Sequence, residues 1–144
     1  MPILTVLKHK NLLIWKLLPA IAWAIMTLFL IGTPGKYFPE VKTFWEWLSP
    51  DKIIHVFIFS VQTYLVLFAV RLQYLSGTNR FFNMLVILGI IFVFAALTEI
   101  LQKYVFFGRD GNVLDFIADV VGIAVGLLAY NLLVKKKETY SKTD

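Results

Sequence analysis

The 144-residue chain has the length of one domain, and 59% of its residues are hydrophobic against 16% charged, with a mean hydropathy of +0.76. A soluble domain carries about 25% charge, so a water-exposed globule is excluded and a single integral membrane domain over residues 1–144 is expected. The absence of cysteine removes disulfides and thiol chemistry, and the net charge of +5 reads as lysine and arginine at cytoplasmic helix ends, not as a nucleic-acid surface.

A hydrocarbon core about 30 Å thick takes about 20 helical residues to cross. Four segments meet that length, at about residues 12–31, 53–70, 81–102 and 113–134, and they predict an all-α four-helix transmembrane bundle. In the first, Trp15 and Lys16 sit where an interfacial ring and a snorkelling amine are tolerated. Lys8, His9, Lys10 and Lys16 resemble the basic start of a signal peptide. The apolar run is long for one, however, and Gly32-Thr33-Pro34-Gly35 makes a poor cleavage site, so an uncleaved helix stopped by Pro34 and Gly35 is expected.

The following loop mixes Phe38, Phe44, Trp45 and Trp47 with charges, which predicts a short interfacial helix over residues 40–48. The second span opens on Asp51, Lys52 and His55, and the third closes on Glu99 and Gln102. The fourth opens on Asp115 and Asp119 and continues as an Ala118, Gly122, Gly126 stripe that lets a neighbouring helix approach closely. Residues 135–144 read as a polar cytoplasmic tail.

Basic residues set the expected orientation. Lys8, Lys10, Lys16, Arg71, Arg80, Lys135, Lys136, Lys137 and Lys142 fall on one side, and Lys36, Lys42, Lys52, Lys103 and Arg109 on the other. The richer side is cytoplasmic by the positive-inside rule. Both termini then lie in the cytoplasm, and the stretch from Leu97 to Asp119 turns outside it.

With that orientation, three spans bring ionisable groups to one depth on one side. Asp51 and His55 are four residues apart, Glu99 and Gln102 three, and Asp115 and Asp119 four, so each pair shares a helix face. Intramembrane charge costs about 2.5–3.5 kcal/mol near mid-helix, which sends such groups towards partners or a wet cleft. Structural explanations exist for each taken alone. Asp115 can serve as a first-turn acid on the helix dipole, Asp119 as the partner of Arg109 or Lys52, and His55 as a packing residue. Gln62, Asn83 and Asn131 lie elsewhere in the spans and read as interhelical hydrogen bonds. Convergence at one end favours a site, with the Leu97–Asp119 stretch and the start of the second span as its walls.

Pro34 after the first span, Asp51-Lys52-x-x-His55 at the second, Glu99-x-x-Gln102 at the third, then Gly108-Arg109, Asp115 and Gly122-x-x-x-Gly126 resemble the VanZ-like membrane proteins over about residues 30–130. That resemblance implies a small bacterial inner-membrane protein, some members being linked to reduced susceptibility to the glycopeptide teicoplanin. Asp119 departs from the family pattern, in which Asn is common there; an ionised aspartate adds charge and cannot donate a hydrogen bond.

The leading expectation is a binding protein for an anionic membrane lipid or lipid-linked envelope precursor, with Lys52 and Arg109 contacting the anion. His55, Glu99, Asp115 and Asp119 form the polar core, and Gln102 and Asp51 fix orientation by hydrogen bonding. The alternative is an intramembrane hydrolase or transferase acting on a polyprenyl- or glycan-linked substrate, with His55, Glu99, Asp115 and Asp119 as catalytic candidates. Their side chains are of metal-binding types, but no compact signature such as His-Glu-x-x-His is present, so no metal ligands are assigned and no cofactor is named. A channel would need a homo-oligomer and a continuous polar path, and the cytoplasmic halves of the spans supply none. No nucleic-acid partner is expected; self-association is the other partner state.

Overall fold

The computed structural model describes residues 2–32, 50–75, 78–105 and 113–135, with side chains from residue 13 to residue 134 of those stretches. The expected interfacial helix over 40–48, the stop at Pro34-Gly35, Arg109 and most of the tail lie outside the described residues. Within them the chain forms helices α1 (Pro2–Gly32), α2 (Pro50–Tyr74), α3 (Arg80–Tyr104) and α4 (Val113–Tyr130), the last running into a π-helical turn, Asn131–Lys135. All four are long and apolar enough to span a membrane, and the architecture is an all-α four-helix bundle.

Helices α1, α2 and α3 outrun the apolar segments because backbone hydrogen bonding continues into their polar flanks, whereas α4 starts at its expected first residue and turns π-helical before its expected end. Pro50 opens α2, where a missing N–H costs nothing, and Asp51 follows in the first turn. At the other end Arg71 donates to Phe68 O at 2.8 Å and lays its guanidinium 3.6 Å from the Phe68 ring centroid. Asn83 Nδ2 donates to Tyr74 O at 2.9 Å, so this asparagine does tie α3 to α2. Gln62 is buried, but its Oε1 has no hydrogen-bond partner among the described residues, and Asn131 lies in the π-helical turn.

The bundle is organised around α2, which touches all three other helices and packs most extensively on α4. Glycine makes that seam possible. A Cβ on Gly122 would lie 2.6 Å from Val56 O and 2.9 Å from Phe59 Cβ, and one on Gly126 would press on Ser60 O and Thr63 Cβ. Ser60 Oγ lies 2.7 Å from Val56 O and 3.1 Å from Gly122 O, its single proton shared between the two carbonyls, and so adds a polar contact to the seam. His55 meets Asp119, Val56 and Phe59 meet Gly122, and Ser60 and Thr63 meet Gly126; α2 and α4 therefore run parallel. Antiparallel α3 supplies Ile91 and Ala95 to a core shared with Ile58, Phe59 and Ile123.

Helix α1 is held to the side of α2. Trp23 Nε1 donates to Ile58 O at 3.0 Å while its ring meets Phe57 edge-on with centroids 6.0 Å apart. The outward faces of the helices carry large exposed apolar side chains, among them Phe29, Phe57, Phe81, Ile90 and Leu133. In a bilayer these faces meet hydrocarbon, which is why so little of α1 and α3 is covered by protein.

Candidate functional site: a buried charged cluster at one end of the bundle

The parallel pair α2 and α4 begins at the end of the bundle where α3 finishes. Each helix delivers its polar residues to that level. On α3 the inward stripe is Ile91, Ala95, Thr98 and Gln102, spaced by three or four residues as helical periodicity requires, with Glu99 beside it. On α4, Asp115 stands in the first turn and Asp119 one turn deeper, on the same face as Gly122 and Gly126.

His55 is at the centre, only 2% exposed. Its Nδ1 lies 2.8 Å from Oδ1 of Asp119, which is wholly buried at 0% exposure, and 3.8 Å from Oε1 of Glu99. An ionised carboxylate can only accept, so with Asp119 charged the Nδ1–H donates to it. Oδ2 of Asp119 is also buried and has no hydrogen-bond partner among the described residues. One turn outward, Lys52 Nζ stands 3.3 Å from Asp115 Oδ1, with both side chains largely covered. Asp51 completes the rim: it, His55 and Asp115 bring donor atoms within 4.8 Å of one another, as do His55, Glu99 and Asp119.

The structure thus brings together Lys52, His55, Glu99, Asp115, Asp119 and Asp51. Gln102 is buried at the same end, one turn beyond Thr98, whose hydroxyl donates to Ala95 O at 2.7 Å. Asp119 pairs with His55, one of the two partners the seam was expected to bring within its reach; the other, Arg109, lies outside the described residues, and Lys52, the structural alternative, pairs with Asp115 instead. The reason is depth. Asp119 lies a full turn further into α4 and Lys52 lies before His55 on parallel α2, so the two acids meet successive levels of one helix.

Sequence reasoning did not single out Thr98, Ser60 or Trp23. The helical stripe Ile91–Ala95–Thr98–Gln102 is the signal that points to Thr98. Ser60 and Trp23 bond to mid-helix carbonyls, contacts that leave no periodic trace.

Carboxylates outnumber fixed cations among the described cluster residues: Asp51, Glu99, Asp115 and Asp119 stand against Lys52 and an ionisable His55. Chemically such a set can accept hydrogen bonds from hydroxyls and amines, hold a divalent cation, or use His55 in proton transfer with Asp119 orienting the ring. Comparisons with protein-family models, curated proteins and solved structures find no match for this chain.

Proposed function

We propose that this is a VanZ-like bacterial inner-membrane protein that holds the polar head of an anionic lipid or lipid-linked envelope precursor at the outward end of its bundle, and thereby modulates susceptibility to teicoplanin-type glycopeptides. The observation that carries this reading is the Lys52–Asp115 pair, 3.3 Å apart at the rim of a buried charged cluster whose flanks are exposed and apolar. Ile53, Ile54 and Phe57 on α2 and Val113 and Ile117 on α4 face outward beside it. An amphiphile moving in the bilayer can lay its chains along those side chains and set its head group at the depth of Lys52. Arg109 supplies the second cation in this reading. The excess of basic residues in the opposite loop and the two ends of the chain orients the cluster away from the cytoplasm.

The carboxylate excess shapes how a head group is met. The acids take its hydroxyls and amines, while Lys52 and Arg109 take its phosphate oxygens. A second reading, an intramembrane hydrolase or transferase on a polyprenyl- or glycan-linked substrate, is favoured by the buried His55–Asp119 contact at 2.8 Å, the pairing a general base needs to fix its ring.

Native mass spectrometry of protein released from mixed anionic and zwitterionic nanodiscs tests the binding reading. Anionic lipid should be retained selectively, and Lys52→Ala or Arg109→Ala should weaken retention about fivefold each, the effect of about 1 kcal/mol per basic residue at a membrane surface. Equal retention of both lipid classes, unchanged in both variants, would refute it.

A further inference from the structure

Three helices converge on one set of donor atoms that fits a metal ion. His55 of α2, Glu99 of α3 and Asp119 of α4 bring one imidazole nitrogen and two carboxylates to within 4.8 Å of one another. We propose that these three side chains bind a single divalent transition-metal ion, of the zinc or manganese kind, leaving its remaining positions open to water or to a head-group oxygen. The ion site stands on its own geometry; its use by a lipid head group rests on the function proposed above.

Spacing is the first argument. With ligand bonds of about 2.0–2.2 Å, neighbouring donors lie about 3.0 Å apart around an octahedral ion and about 3.4 Å apart around a tetrahedral one. The His55 Nδ1 separations of 2.8 Å to Asp119 and 3.8 Å to Glu99 bracket both values. Meeting the tetrahedral spacing changes these two separations by about 0.4–0.6 Å and the octahedral spacing by up to about 0.8 Å, within reach of side-chain rotation. Ligation through Nδ1 moves the ring proton to Nε2, so the ion replaces the His55–Asp119 hydrogen bond.

The second argument is the state of Asp119. It is fully buried, and its Oδ2 has no hydrogen-bond partner among the described residues. A buried carboxylate oxygen left without a partner is costly. A cation held by the Asp119 carboxylate, His55 and Glu99 compensates the charge of this under-partnered buried group and offsets repulsion in a cluster rich in carboxylates.

Two further observations choose the ligand set and the metal. Asp51, His55 and Asp115 form an alternative trio, but the Lys52 ammonium lies 3.3 Å from Asp115 and would stand against an ion held there. The choice of metal follows from the donors: one nitrogen with carboxylate oxygens suits zinc, manganese or iron, whereas magnesium and calcium favour oxygen throughout. No His-x-x-x-His or similar spacing announces the site, because each helix contributes one ligand.

The test uses the full chain in detergent, stripped with EDTA and then given zinc chloride or manganese chloride. After dialysis, wild type and Arg71→Ala, altered at the opposite end of α2, should each retain about one equivalent by elemental analysis. His55→Ala, Glu99→Gln and Asp119→Asn should each bind at least about tenfold more weakly. Glu99→Gln keeps the side-chain volume, and circular dichroism separates lost binding from lost folding. Cobalt(II) adds a spectroscopic readout: its visible bands should shift in wild type and stay those of the aqua ion in the three variants. Failure of wild type to retain metal, or equal retention by all the variants, overturns the proposal.

Lipid retention from nanodiscs containing phosphatidylglycerol, with and without EDTA, separates the two readings. Metal retention with anionic-lipid retention that EDTA abolishes supports both. Metal retained without selective lipid leaves the ion site standing and removes the head-group reading; lipid retained by a protein that takes up no metal does the reverse.

Discussion

Replacing Gly122 with alanine strikes the seam on which the charged cluster depends. The added Cβ would stand 2.6 Å from Val56 O, 2.9 Å from Phe59 Cβ and 3.1 Å from Val56 Cα, two of them backbone atoms that cannot swing away. Restoring an ordinary contact of about 3.4 Å requires α2 and α4 to part by about 0.8 Å at this level. Such overpacking costs about 1–3 kcal/mol, set against about 1 kcal/mol gained from alanine's helix propensity. Gly89 on α3 isolates that gain, since a Cβ there meets nothing within 4 Å. Gly122→Ala should therefore be less stable than Gly89→Ala by about 1–3 kcal/mol in reversible unfolding from mixed micelles. The same parting, one turn from Asp119, should stretch the 2.8 Å His55–Asp119 contact to the edge of hydrogen bonding. Nitrogen chemical shifts of the His55 ring report that change directly. Equal stabilities of the two alanine variants to within about 0.5 kcal/mol, with an unmoved His55 signal, would show that the seam is not tight and refute the reasoning.

Asp119→Ala leaves His55 buried without its acceptor and should cost about 2–3 kcal/mol, whereas Asp119→Asn keeps an acceptor oxygen and should cost about 1 kcal/mol; similar unfolding midpoints for the two would refute this by showing that His55 needs the carboxylate charge and not merely an acceptor oxygen. Lys52→Met keeps the apolar stem but removes the ammonium from buried Asp115, for an expected loss of about 1–3 kcal/mol. Adding Asp115→Asn should recover part of it, and a double-mutant cycle with coupling below about 0.5 kcal/mol would argue against the pair. Trp23→Phe removes the 3.0 Å bond to Ile58 O while keeping a ring against Phe57, and should cost about 0.6 kcal/mol, as interhelical bonds in membranes do. A loss above about 2 kcal/mol would mean that α1 is held chiefly by that one bond.

Much of the fold was legible from residue order. Apolar length marked all four spans, and Pro50 with Asp51 shows why α2 starts before its apolar run does. The Ala118, Gly122, Gly126 stripe announced a close helix contact, because small residues every fourth position serve little else in an apolar helix. The cluster was legible too, since Asp51 with His55, Glu99 with Gln102, and Asp115 with Asp119 each sit at the same end of a span. Burial then follows from cost: charges inside an apolar helix must turn towards one another.

What the order of residues did not contain was the pairing. Periodicity places Asp119 on the face of Gly122 but says nothing of which helix lies across that face. Only the parallel packing of α2 on α4, set by the fit of Gly122 and Gly126 against Val56 and Ser60, decides that His55 receives Asp119 and that Lys52 receives Asp115. The metal-type trio of His55, Glu99 and Asp119 is likewise a product of three helices meeting, with ligands 44 and 64 residues from His55 along the chain. Local spacing therefore determined the membrane spans and the end of the bundle that carries charge, because hydropathy and helical period act within one segment. Tertiary structure decided which charge meets which, because that depends on how closely neighbouring backbones can approach.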